Sequence, residues 1–116
     1  MLVFDEILAS FLRKNSLFHQ TGNLAKNRPT AQSSTGFGGV AARGVDGNRN
    51  PQWKGGSCTH TNRQRKPWWR VDLGTPQRVK RVKITNRGDC CAQRLRNVEI
   101  YVGTKANNPR TRGNQK

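Results

Sequence analysis

Acidic side chains are scarce in this sequence. Six Asp and Glu stand against 22 Lys and Arg, a formal charge of +16 over 116 residues. No pair of carboxylates stands out, which argues against the two-carboxylate chemistry of glycoside hydrolysis. No Ser/His/Asp or Cys/His arrangement stands out for nucleophilic catalysis either, so the chain reads as non-enzymatic. Apolar residues are also few, 32% of the total, below the usual share for a globular domain. No run is long and apolar enough to cross a bilayer. The length fits one domain. A single small domain with so little apolar surface is marginal unless a covalent or metal staple helps hold it. Cysteine is limited to Cys58, Cys90 and Cys91, an odd count that leaves one thiol over if two pair. No internal repeat is visible. The positive excess points to polyanions (nucleic acid, sulfated glycans or acidic membranes) as partners.

Phe4, Ile7, Leu8, Phe11 and Leu12 recur at helical spacing, and that periodicity predicts a short amphipathic helix over 1–14. Asp5 and Glu6 fall early and Arg13 and Lys14 late, the order a helix macrodipole favours. A secretory leader would be basic first and then uniformly apolar, so this segment is not expected to be one. A connector then runs to residue 21. Residues 30–67 are rich in Gly, Ser, Asn and Thr and lack periodicity; loops of that length are usually functional or disordered.

Three β-like runs follow, bounded by Gly, Pro or Asn. In 68–73, Trp69, Val71 and Leu73 alternate with Trp68, Arg70 and Asp72, and both tryptophans are expected to fill the core. In 78–87, Val79, Val82 and Ile84 break strict alternation, which predicts a bulge near Lys80–Arg81. In 96–103, Val98, Ile100 and Val102 alternate with Glu99 and Tyr101. Three strands alone would leave edges and half a core exposed, so another element must complete the sheet. The domain is therefore expected over 22–103, all-β, with long loops ahead of its central strands. Residues 104–116 are polar and basic, expected as a disordered tail.

The stretch "RGDCCAQR" at 87–94 places two adjacent cysteines between two arginines, after an aspartate. It admits a redox centre, a metal site, an Arg-Gly-Asp recognition loop or the stiffened floor of a binding pocket. A redox or metal centre lacks the two-residue gap of Cys-x-x-Cys sites. A bridge between neighbours would close a tight ring, because adjacent Cα atoms lie only about 3.8 Å apart. Taken singly, His60, Arg87 and Arg94 read as solvated surface residues. "GVDGN" at 44–48 reads singly as a turn.

Taken together these pieces form a pattern. His60 is followed by Arg87-Gly88-Asp89 and then by Arg94, and the blocks "CTHT", "PWWRVDL" and "TNRGDCC" surround them. Over about 22–103 the chain resembles the F-type lectins, the fucolectin family. The resemblance implies a jelly-roll β-sandwich of the discoidin-like kind, without its last strands in this chain. It implies a non-catalytic site for terminal L-fucose on glycans, with His60, Arg87 and Arg94 as donors, Asp89 orienting an arginine, and Trp53 under the 6-methyl group. It implies a contiguous Cys90–Cys91 disulfide beneath the sugar. It also implies a structural Ca²⁺ held by Asp46, by the carbonyls of Arg43 and Asn48, and by Ser57, an oxygen-only set that suits a hard cation. The family's remaining calcium ligands, a Cys-Glu pair, and the partner of Cys58 lie beyond this chain. Lys54 stands where a second aromatic is expected. Secretion, glycan recognition in defence and an oligomer are further expectations of the same resemblance.

Overall fold

A computed structural model describes residues 22–103 and the strand Val3–Ala9. The strands are β1 (Val3–Ala9), β2 (Thr30–Gln32), β3 (Trp69–Val71) and β4 (Val79–Thr85). They pair antiparallel as two two-stranded sheets, β1 with β4 and β2 with β3. Three 3-10 turns, Ala41–Gly44, Trp53–Gly55 and Ala92–Arg94, punctuate the long loops. The all-β class holds for the described residues.

The helix expected over 1–14 is not what forms at Val3–Ala9. Those residues are β1, and they pair with β4 along its length. Short helices are marginal on their own, while Val, Phe and Ile suit a paired strand, so tertiary pairing overrides the local periodicity. β1 is thus the additional element that the strand pattern required. The rest of that helix, the connector to residue 21 and the tail 104–116 lie outside the described residues.

The bulge expected in β4 is present. Leu8 pairs with Arg81 and Ala9 with Val79, so Lys80 is the extra residue opposite β1. The run 96–103 departs from expectation. It forms no strand, only an isolated bridge at Val102, and Val98, Ile100 and Val102 are exposed. Alternation prepares a face for a sheet, but a ladder needs a paired neighbour, and among the described residues this run pairs only at the Val102 bridge.

The core is small. Ala25 and Val45 are buried, with Trp69, Val71, Leu73 and Val79 packed against them. The alternation in 68–73 therefore faces its apolar side inward as read. Only one of the two tryptophans is a core residue. Trp68 is exposed, under the Arg70 guanidinium at 5.6 Å. Trp69 donates its indole N–H to the Ala41 carbonyl at 2.9 Å. Its ring leaves no room at Gly44, where a Cβ would lie 2.9 Å from Trp69 Cζ2. Gly44→Ala is expected to overpack this contact and cost about 1–3 kcal/mol, seen as a lower denaturant midpoint; an unchanged midpoint would contradict the packing of Trp69.

Candidate functional site

His60 ends a buried stretch, Ser57, Cys58 and Thr59. Its main chain docks on the preceding loop: His60 N–H donates to Gly39 O and Gly36 N–H donates to His60 O, both at 2.8 Å. The approach requires glycine, because a Cβ on Gly39 would lie 2.6 Å from His60 N. The Gln32 amide ties the turn from below, donating to Gly39 O at 2.9 Å. Two aromatic rings meet the imidazole edge-on. Phe37 has its centroid 5.0 Å away at an interplanar angle of 77°. Trp53 lies at 5.7 Å and 80°. Phe37 is 85% exposed and has positive φ, 50°, so the turn holds an apolar ring outward beside His60.

Arg87 and Asp89 form a fork, with Arg87 Nε to Asp89 Oδ1 at 2.5 Å and Nη2 to Oδ2 at 3.0 Å. Asp89 Oδ2 also accepts from Trp53 N–H at 3.3 Å. Gly88 N–H donates to Pro51 O at 2.8 Å. The loop at 87–89 is thereby pinned to the loop at 51–53. The Arg87 guanidinium lies 5.4 Å from the Trp53 ring centroid, and that of Arg43 lies at 6.0 Å, within cation–π reach. The Asp89 carboxylate is folded back onto its own arginine, which is the wrong presentation for an Arg-Gly-Asp ligand. Hydrogen bonding from Arg87 holds the Asp89 carboxyl down at about 2.

Cys90 and Cys91 are joined to each other, Sγ–Sγ 2.00 Å, with Cα atoms 3.7 Å apart. Cys91 sits in the left-handed region, φ 62°. The chain then turns through Ala92–Arg94, with Arg94 N–H donating to Cys91 O at 3.0 Å. Asn86 clamps both ends of this loop: its Oδ1 accepts from Arg87 N–H at 2.8 Å and its Nδ2 donates to Ala92 O at 2.8 Å. The clamp and the turn fix the backbone that carries Arg94.

The two arginines bear on His60 through their charge. Burial lowers the His60 pKa below its ordinary 6.5, a backbone hydrogen bond at Thr61 partly opposes this, and the charges of Arg94 and Arg87 push it down further. The imidazole is therefore neutral at pH 7, with polar N–H and N faces. Trp53 contacts His60, Arg87 and Asp89, and Arg94 acts on His60 through its charge. Sequence reasoning missed two members. Phe37 lay in an aperiodic loop with no signal except an aromatic between glycines. Asn86 read as part of a strand end.

The four residues expected at a cation share one loop region. Asp46 Oδ1 accepts from Asn48 N–H at 2.8 Å, Asn48 Nδ2 donates to Gly55 O at 3.0 Å, and Ser57 Oγ donates to Asn50 O. These donors are oxygens and suit Ca²⁺ in kind. One carboxylate and a few carbonyls fall short of six to eight ligands, so water or residues outside the described set would have to complete the shell. Among the described residues no cluster of three His, Cys, Asp or Glu could hold a metal. No helix among them is long and apolar enough to cross a membrane.

A proton NMR titration should place the His60 midpoint below 6.5, and Arg94→Gln should raise it. Because the folded pKa is depressed, the unfolded chain takes up a proton first as pH falls through 6.5, so His60 subtracts stability below that pH. A midpoint at or above 6.5 would contradict the cluster.

The sequence profile of a family in the F5/F8 type C group, described as a NedA-like, galactose-binding domain, matches residues 43–116. Fucolectin-5 of Anguilla japonica is 36% identical over 93% of this chain and 62% of its own length. Fucolectin-1 of the same eel is 40% identical over 93% of this chain and 65% of its own. A pentraxin fusion protein of Xenopus laevis is 41% identical over 73% of this chain and 21% of its own. The chain thus spans a little under two thirds of the length of the two eel relatives. No solved structure matches it. The chain belongs to the NedA-like, galactose-binding domain family, and its likeness to the eel fucolectins supports an F-type lectin.

Proposed function

We propose that this domain binds terminal L-fucose on glycans, without catalysis, at the locus formed by His60, Arg87 and Arg94. One observation carries the reading: Trp53 meets His60, Arg87 and Asp89 at once, so that an imidazole, an oriented guanidinium and an apolar ring come together at one locus. Sugar hydroxyls are neutral and present acceptor oxygens. Guanidinium forks supply paired N–H donors to hydroxyls on adjacent carbons. Asp89 holds the Arg87 fork in one orientation, so little side-chain freedom is lost on binding. With His60 Nδ1 buried, Nε2 is left for the ligand. Trp53 and the exposed Phe37 offer apolar contact to a methyl group, which favours a 6-deoxy sugar over one with a 6-hydroxyl that would lose its water there. The Cys90–Cys91 ring stiffens the backbone between the two arginines. A disulfide of this kind persists in oxidising surroundings, which supports an extracellular site of action, as expected of a lectin in defence.

The reading includes Ca²⁺ at the oxygen set of Arg43, Asp46, Asn48 and Ser57. The cation would fix the loop that carries Trp53, and so would act on sugar binding through position rather than by contact.

On L-fucose resin, Arg87→Ala should weaken retention by roughly 10- to 100-fold, the size of a lost charge-assisted hydrogen bond, and His60→Ala by about 10-fold. Raising salt to about 1 M, where the Debye length is about 3 Å, should change retention little, because the ligand is uncharged. Retention that survives both substitutions overturns the site. A chelator should lower the melting temperature and weaken retention, with both restored by added Ca²⁺; indifference to chelator removes the cation from the account.

A further inference from the structure

We propose that a second site, on β4 and away from His60, binds sulfated polysaccharide chains. A groove of about 520 Å³ runs between β4 and the extended segment at 100–102. Arg78, Lys80 and Arg81 line it, with Val82, Ile100 and Val102 as its apolar floor. The three cations are exposed, and among the described residues no acidic one is in the lining. Glu99, next in sequence to the floor, accepts from the Tyr101 hydroxyl at 2.7 Å and does not line the groove.

The bulge at Lys80 sets this arrangement. In a regular strand, alternate residues point to opposite faces. The extra residue opposite β1 disrupts that alternation around Lys80, and Arg78, just before β4, lines the same groove as Lys80 and Arg81. Residues two apart along a strand lie about 7 Å apart, a ladder of positive charge that suits a chain with regularly spaced anionic groups. The aliphatic floor suits the C–H faces of pyranose rings. Among the described residues no aromatic side chain lines the groove, and single-stranded nucleic acid is held mainly by stacking on aromatic rings. The ligand class is therefore a sulfated glycan. The excess of 22 basic over 6 acidic residues draws such a chain toward the protein from a distance; the groove gives it one place to lie. This site does not rest on the fucose reading and stands or falls apart from it.

The probe is a heparin-derived octasaccharide, with binding followed by calorimetry at fixed, moderate salt. Arg78→Ser/Lys80→Ser/Arg81→Ser should weaken binding roughly 100-fold, about fivefold per cation. Arg63→Ser/Arg65→Ser/Lys66→Ser removes the same charge from the loop before β3 and should weaken it less than fivefold. Ile100→Glu keeps every cation, alters an exposed floor position and should also reduce binding at least fivefold, which guards against misfolding of the triple variant. Retention on fucose resin should be unchanged in all three. Equal losses in the two triple variants would mean diffuse attraction and would overturn the groove. An undiminished affinity in Ile100→Glu would do the same. Binding of a single-stranded oligonucleotide of equal charge as tightly as the octasaccharide, with the same dependence on the groove, would overturn the assignment to sulfated glycan.

Discussion

Asp89 is the tie on which the site depends. It receives two bonds from Arg87 and a third from the backbone of Trp53. Beside it, Gly88 binds Pro51. Two loops far apart in sequence are thereby locked together, and the geometry of the rest follows. Arg87 is set over the Trp53 ring, and the Trp53 ring meets the edge of His60. Charge-assisted bonds of this kind are short and directional. An exposed ion pair adds little to global stability, so the role of this one is orientation. It keeps a guanidinium aimed where a flexible arginine would otherwise sample many rotamers.

The chain has little apolar material with which to hold such loops. Among the described residues the buried hydrophobic ones are Ala25, Val45 and Cys58, with residues of β3 and β4 packed against the first two. Backbone hydrogen bonds between loops and side-chain clamps take over where a larger core would serve. Gln32 and Asn86 each join two separate backbone positions. Glycines at 36, 39 and 44 allow close approach where any side chain would collide. The Cys90–Cys91 bond removes freedom from the loop between the arginines, which counts because ordering a long loop costs conformational entropy.

Much of this was legible in the sequence, and the failures have physical causes. Alternation in 68–73 identified the inward face of β3, because a half-buried strand imposes period two. The broken alternation near Lys80 marked a real bulge. The motif of His60, Arg87, Asp89 and Arg94 named three residues, His60, Arg87 and Asp89, that the fold gathers around Trp53. Periodicity misread Val3–Ala9, since the same apolar residues that form a helical stripe also serve as a paired strand when β4 offers an edge. It misread 96–103 in the opposite sense, because a strand pattern needs a partner to become a strand. Trp68 and Trp69 look alike in sequence, but alternation sends one to the core and the other to solvent beneath Arg70. Phe37 was invisible because its position depends on a left-handed turn beside Gly36 and Gly38, which no periodic signal records.

In the two proposed sites positive charge would play two parts in one small domain. At Arg87 and Arg94 it supplies oriented donors to an uncharged ligand. Along β4 it forms a ladder for an anionic one. The first part is the central claim, and side-chain NMR tests it most directly. L-Fucose titrated into the protein at pH 7 should move the His60 ring resonances and the Arg87 and Arg94 Nε–H resonances together, with one shared dissociation constant. Shifts confined to one of the three residues, or three different midpoints, would contradict a single site built from all of them.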